Sequence, residues 1–266
     1  MTTTTIAVWQ CSPTPRDPDT NLERLRAVAA DAVAQGARLL VTPEASTTGY
    51  DIGELTDDLH RDPEAVTRIA QEEGIGLVVG MLRRDDDGRW RNSSVLTDGV
   101  VTEVYDKAHL FAGLDRSRFA PGDRTHGSAT LAGVRVATVI CYDVEFPEPT
   151  RAAALDGAEV TLVPTANMHP FVAVNDLIVP ARALENSVPV AYANHHGSEG
   201  GTRYVGRSLV AGADGSVLAR AGEDGEELLV VEAELVARPD ASDDPTGYLR
   251  DRRPELYGPL TSGGRP

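Results

Sequence analysis

Lysine is almost absent from this 266-residue chain: of 25 Lys and Arg side chains, only Lys107 is a lysine. Arg and Lys serve equally as generic surface charge. A guanidinium, however, neither exchanges a proton readily nor fits as a compact point charge beside a reacting atom. The lone lysine is therefore a catalytic candidate before any other motif is weighed. Positive charge is scarce as a whole, and the formal net charge of −16 argues against a nucleic-acid or anionic-membrane partner. Two cysteines do not make a disulfide framework in a chain of this length. No apolar run is long enough to span a bilayer, and Met1-Thr2-Thr3-Thr4-Thr5 lacks the basic and apolar regions of a signal peptide, so the expected location is the cytoplasm. His195-His196, followed by Gly197, reads as a polar loop, since no Cys or carboxylate sits nearby at zinc-ligand spacing.

What is present is organised around Val136-Ala137-Thr138-Val139-Ile140-Cys141, an apolar, β-branched run that reads as a buried strand. It stops at the cysteine, turns through Asp143, Glu145 and Pro147, and enters an Ala-rich segment, 148–156, that reads as a helix. A nucleophile at such a turn projects from the sheet, and the backbone N–H groups beside it face a developing oxyanion. A free cysteine is also commonly a small buried apolar residue, and this stretch alone leaves both readings open.

In chain order, 4–10 reads as a strand and Thr20-Asn21-Leu22-Glu23 as a capping box opening a helix to about Gln35, with Gly36 as the stop. A short apolar strand over 38–42 ends at Pro43-Glu44, which makes a βαβ unit and a parallel pair. A helix over 62–73 and a strand over 76–82 follow. Asp87-Gly88 and Asp98-Gly99 mark hairpins, 109–123 reads as a loop, and a hairpin about Ala132-Gly133 leads into the Cys141 strand. Then come a strand over 160–164, an irregular stretch over 165–170, a helix over 172–186, a strand over 188–193, and short strands over 207–210, 217–220 and 227–232. From Pro239 the chain is polar and Pro-rich. The expectation is one α/β domain over 1–266 with mixed sheets, the 239–266 tail packing on a neighbouring copy.

Glu44, Lys107 and Cys141 each end a strand, and in open α/β sheets ligands sit outside the carboxyl ends of the strands. A carboxylate, an ammonium and a thiol meeting in one cleft suit acyl transfer. The carboxylate takes the thiol proton, and the ammonium stabilises the thiolate and then the oxyanion, with the Tyr142 N–H as a second donor. The plainer reading of Glu44 is a helix-capping or surface acid, and that of Cys11 a structural residue.

Pro43-Glu44, Tyr105-Asp106-Lys107-Ala108-His109-Leu110-Phe111 and Ile140-Cys141-Tyr142-Asp143 resemble the three catalytic blocks of the nitrilase, or carbon–nitrogen hydrolase, superfamily. The resemblance implies a four-layer α-β-β-α sandwich with Glu44 as general base, Lys107 as oxyanion-stabilising ammonium and Cys141 as nucleophile. It implies neither metal nor organic cofactor. Thr48-Gly49-Tyr50, Leu114-Asp115-Arg116-Ser117-Arg118-Phe119, Val144-Glu145-Phe146-Pro147-Glu148, Leu162-Val163-Pro164-Thr165-Ala166-Asn167-Met168 and Ala181-Arg182-Ala183-Leu184-Glu185-Asn186 resemble the amidase branch, 5-aminopentanamidases among it. One position departs from the pattern. Six residues before Pro121-Gly122 the family usually carries a second glutamate that positions substrate and assists proton transfer; here stands Asp115, a methylene shorter, and the resemblance implies it as a fourth catalytic residue.

The implied function is hydrolysis of a small linear carboxamide, such as the ω-amino amide 5-aminopentanamide, to carboxylate and ammonia through a cysteine thioester. Alternatives are hydrolysis of an N-carbamoyl amine or amino acid on the same triad, and a non-catalytic binding protein on the same fold. Specificity is expected from Tyr50, Tyr142, Glu145, Asn167, Met168, His169, Phe171 and His195. An ω-amino amide needs an anion for its ammonium end, and Glu145 and Asp115 are both candidates. Glu145 reads equally as half of an ion pair with a nearby arginine, and Arg182 with Glu185 as a scaffold pair on one helix. A homodimer or higher homo-oligomer is expected, as is usual in the family.

Overall fold

The computed structural model describes residues 2–235 and 247–261. The first half of the chain builds strand β1 (Thr2–Gln10), helix α1 (Pro18–Ala34), β2 (Leu39–Val41), α2 (Glu64–Glu73), β3 (Gly76–Arg84), β4 (Trp90–Thr97) and β5 (Thr102–Asp106). After these come α3 (Ala112–Arg116), β6 (Gly127–Leu131), β7 (Val134–Thr138), a 3₁₀ turn over Cys141–Glu145, α4 (Pro147–Leu155) and β8 (Val160–Pro164). A π turn over Val174–Ile178 runs into α5 (Val179–Asn186) and then β9 (Val190–Ala193). The small hairpin β10 (Ser198–Glu199) and β11 (Thr202–Arg203) precedes β12 (Leu209–Ala211), β13 (Val217–Arg220) and β14 (Glu227–Leu235).

Two six-stranded mixed sheets result, in the orders β14-β1-β2-β3-β4-β5 and β13-β12-β9-β8-β7-β6. The expected parallel pair is present, with β1, β2 and β3 running in one direction, as do β7, β8 and β9 in the other sheet. Alternation along each strand decides the layers. In β1, Ile6 and Val8 face the second sheet and join Leu39, Val41, Val78, Val136, Ile140 and Leu162 in the central core. Ala7 and Trp9, on the other face, pack under α1 and α2 with Leu25, Ala29, Val66 and Ile69. The outer face of the second sheet is covered by α5, through Val179 and Ala183 against Val163, Val190 and Leu209. Ala137 meets Ala153 of α4. This is the α-β-β-α sandwich.

Three local expectations shift. Helix α1 starts before the Thr20 box, because Asp17 caps it by accepting from the Thr20 N–H at 3.1 Å, with Pro18 in the first turn. The 109–123 loop contains α3. The 172–186 helix runs unbroken as expected but carries a π turn just before Pro180, whose missing N–H cannot join the regular ladder. Part of the 239–266 tail lies outside the described residues. Within the described part, Tyr248, Asp251, Arg252 and Tyr257 border a hollow over Pro147, Glu148 and Arg151 of the same chain.

Candidate active site

Glu44 leaves β2 in a tight turn that β3 approaches closely. A Cβ on Gly80 would stand 2.2 Å from the Pro43 carbonyl and 2.6 Å from the Glu44 Cα, so only glycine lets the strand pass. The Glu44 N–H donates to the Thr165 carbonyl at 3.2 Å, which ties this turn to the end of β8 in the opposite sheet. Lys107 follows β5 and is fixed through its backbone, its N–H donating to Asn92 and its carbonyl accepting from Gly122. Glu44, Lys107 and Asp115 are each at most 1% exposed.

The three side chains meet. Lys107 Nζ stands 2.7 Å from Glu44 Oε1 and 2.7 Å from Asp115 Oδ2. Asp115 is held further by the Tyr50 hydroxyl at 2.7 Å on Oδ1 and the Phe111 N–H at 2.9 Å on Oδ2. Asn92 donates to Glu44 Oε1 at 2.6 Å, while Glu44 Oε2 has no partner among the described residues.

Electrostatics follow from burial and neighbours. Burial alone would lower the Lys107 pKa, but Glu44 and Asp115 outweigh it and hold the ammonium well above its ordinary value. Burial would raise Asp115, and Lys107 overrides it, so this carboxyl titrates low. Glu44 titrates high, because burial and the Asp115 charge together exceed the attraction of Lys107. Asp115 is thus the low-titrating counter-charge of Lys107 and Glu44 the high-titrating carboxyl beside it.

Cys141 opens the 3₁₀ turn with φ of +46°, a left-handed conformation that sets the side chain off from the path of β7. Its thiol is pushed well above the ordinary range, first by burial and then by the Glu44 charge, against the pull of Lys107, the Thr165 hydroxyl and the Ala166 N–H. Cys141 therefore rests as a thiol rather than a thiolate. The Tyr142 N–H directly follows the nucleophile candidate in the same turn.

One residue that sequence reasoning passed over joins two of these segments. Asp143, fully buried, accepts from the Ile140 N–H at 3.0 Å and the Tyr105 hydroxyl at 2.9 Å on Oδ2. Its Oδ1 accepts from the His109 N–H at 2.8 Å and lies 2.8 Å from His109 Nδ1. The strand end that carries Lys107 is thereby joined to the residue preceding Cys141. Arg182 fixes the far side of the turn, donating to the Val144 and Glu145 carbonyls at 2.9 and 2.7 Å while pairing with Glu185 at 3.0 Å, as expected.

Cys141 opens into a narrow pocket. Tyr50, Glu145, Asn167, Met168 and Phe171 line it as expected, together with Phe111 and Ala166. The Asn167 amide is largely committed to scaffold, its Nδ2 donating to Asn175 and the Phe171 carbonyl. Three expected positions lie elsewhere. The turn after Cys141 carries the Tyr142 ring into an adjoining hollow, edge-on to Phe111 and Phe146. His169 is exposed and bonds through its backbone to Arg203. His195 is buried behind the site, with Nε2 2.6 Å from the Glu44 carbonyl and its ring stacked on Tyr204, so it props the Glu44 turn rather than facing substrate.

Among the described residues no helix is long and apolar enough to cross a membrane. A model of the carbon-nitrogen hydrolase family matches residues 5–238. The "hydrolase in pqqF 5'region" of Pseudomonas protegens is 41% identical over 266 residues, covering 96% of this chain and 91% of that protein. An (R)-stereoselective amidase of Pseudomonas sp. is 36% identical over 255 residues, covering 92% of this chain and 91% of its own. Among solved structures, an amidase variant from Nesterenkonia sp. AN1 with acrylamide added to its active-site cysteine superposes with a TM-score of 0.84 at 34% identity, over 97% of this chain and 99% of that one. The chain belongs to the carbon–nitrogen hydrolase family, on its amidase branch, and is a hydrolase of non-peptide carbon–nitrogen bonds.

Proposed function

We propose that this protein hydrolyses a small linear carboxamide to carboxylate and ammonia through a thioester on Cys141, with an ω-amino amide such as 5-aminopentanamide as the leading substrate. The observation that carries the reading is the buried Lys107 ammonium held by Glu44 and Asp115 beside a thiol that opens into a pocket.

The chemistry follows from the charges. Glu44, titrating high, takes the Cys141 proton as sulfur bonds to the substrate carbonyl carbon. The carbonyl oxygen becomes an alkoxide received by Lys107 and the Tyr142 N–H. When it collapses, the carbon–nitrogen bond breaks and Glu44 returns its proton to the leaving ammonia. Water then gives a proton to Glu44 and attacks the thioester, and the sulfur leaves and recovers that proton. Lys107 stays charged throughout, because Asp115 balances it whatever the state of Glu44.

The pocket wall contains no arginine or lysine among the described residues that could hold a carboxylate. That supports a neutral or cationic substrate over an N-carbamoyl amino acid. We read the whole chain as one folded unit, with the C-terminal segment at a homodimer contact. Ammonia release from aliphatic amides, ω-amino amides, N-carbamoyl amines and N-carbamoyl amino acids tests the assignment. Turnover confined to amides is expected, and turnover of carbamoyl compounds alone would replace the reading with its alternative.

A further inference from the structure

We propose that the side chain at position 145 sets the sign of charge the pocket accepts, Glu145 receiving the ammonium end of an ω-amino amide whose carbonyl lies at Cys141. This deepens the amidase reading and rests on it.

Of the two carboxylates the sequence offers for this purpose, Asp115 is already spent. Both of its oxygens are taken, by Tyr50 on one side and by Lys107 and Phe111 on the other, and it is fully buried. Glu44 is shared with Lys107 and Asn92, and its free oxygen is needed for the thiol proton. Glu145 differs from both. It lines the same pocket as Cys141, is half-buried, and feels the Lys107 and Arg182 charges without an ion pair to either. The ion pair anticipated for it is not formed. Arg182, the nearby cation, spends its donors on the Val144 and Glu145 carbonyls and on Glu185. Arg182 thus holds the Glu145 backbone still and leaves its carboxylate free.

The geometry suits a chain with two polar ends. Cys141 and Glu145 begin and end one 3₁₀ turn, and at about 2.0 Å rise per residue their backbones stand roughly 8 Å apart along its axis. The pocket wall shared with them is apolar, with Phe111, Met168 and Phe171 available to methylenes. Glu145 is the one charged side chain lining this pocket among the described residues. Burial raises its pKa, so an arriving cation meets a poorly solvated carboxylate.

The experiment compares kcat/KM for 5-aminopentanamide with that for pentanamide, its uncharged counterpart. General damage to the catalyst scales both values, so their ratio isolates the charge. In Glu145→Gln the ratio falls by about ten- to hundredfold, the range expected for loss of a charge-assisted contact. Glu145→Asp, which keeps the charge on a shorter arm, retains an intermediate ratio. Glu145→Lys shifts preference to the monoamide of a dicarboxylic acid of matching length. A second readout does not depend on turnover: butylammonium slows iodoacetamide alkylation of Cys141 in the parent protein and not in Glu145→Gln. Ratios unchanged across the three variants, or equal protection by butylammonium in both proteins, would overturn the inference while leaving the amidase reading intact. Failure of every amide to turn over, with butylammonium protection still lost in Glu145→Gln, would overturn the amidase reading and leave Glu145 as a cation site beside Cys141.

Discussion

Lys107 Nζ lies 2.7 Å from Asp115 Oδ2, so the aspartate reaches the ammonium although it is a methylene shorter than the glutamate usual at this position. It does so because α3 begins directly after Phe111, whose N–H draws the same oxygen inward at 2.9 Å. Asp115→Asn removes the charge that keeps Lys107 balanced when Glu44 is protonated. We expect kcat to fall at least about a hundredfold, the scale of losing one preorganised electrostatic partner. Steady-state kinetics on a small aliphatic amide checks this, and kcat within a few-fold of the parent would contradict it.

Lys107→Arg tests why one lysine survives in an arginine-rich chain. The slot is sealed, with no side-chain exposure on Lys107 or either carboxylate, and both contacts converge on one nitrogen. A planar guanidinium keeps the charge but spreads its donors. Overpacking costs about 1–3 kcal/mol. We expect a folded protein, by circular dichroism, with almost no ammonia release. Near-normal turnover would refute this account of the lysine.

Asp143→Asn tests the junction between the Lys107 and Cys141 segments. The charge accepts from four donors on Ile140, Tyr105 and His109, and an amide offers fewer acceptor sites. Because Asp143 touches neither pocket nor thiol, its loss misplaces Cys141 relative to Lys107. We expect a drop in kcat of ten- to a hundredfold, on the order of a one-ångström misplacement, with KM little changed and a parallel fall in the alkylation rate of Cys141. A change in KM alone would place Asp143 in substrate binding instead.

Acid acts on Glu44 before it acts on the fold. Glu44 must be ionised to accept the thiol proton, and burial with the Asp115 charge raises its pKa above the ordinary value of about 4.3. Activity therefore falls reversibly as pH drops through that raised value. Asp115 has the opposite sign. Its folded pKa lies below the unfolded value of about 3.9, so its contribution to stability is complete above that value and is lost only as pH falls through the lowered one. A kcat/KM profile recorded beside a tryptophan-fluorescence unfolding curve should show activity lost while the protein is still folded. Coincident midpoints would contradict the assignment.

Glu44, Lys107 and Cys141 were legible as candidates because each follows a strand at the edge where the parallel strands present their carboxyl ends. The sandwich was legible from alternation, as in Ile6 and Val8 against Ala7 and Trp9. The supporting polar contacts were not. Asp143 and Asn92 look like ordinary turn and strand polar residues in sequence, and their partners lie 34 and 48 positions away. Tyr142 and His169 were assigned to the pocket by proximity along the chain, but the Cys141 turn sends one ring into a neighbouring hollow and the loop after Met168 sends the other to solvent. His195 looked like loop because its burial depends on Tyr204 and the Glu44 carbonyl, which no local pattern encodes.

Rapid acid quench of the enzyme during turnover of a small amide, followed by peptide mass spectrometry, interrogates the chemistry itself. An acyl mass increment on the peptide containing Cys141, absent from Cys141→Ala protein that has also lost ammonia release, is the predicted result. Steady ammonia release with no acyl group on Cys141, or a Cys141→Ala protein as active as its parent, would contradict the thioester route.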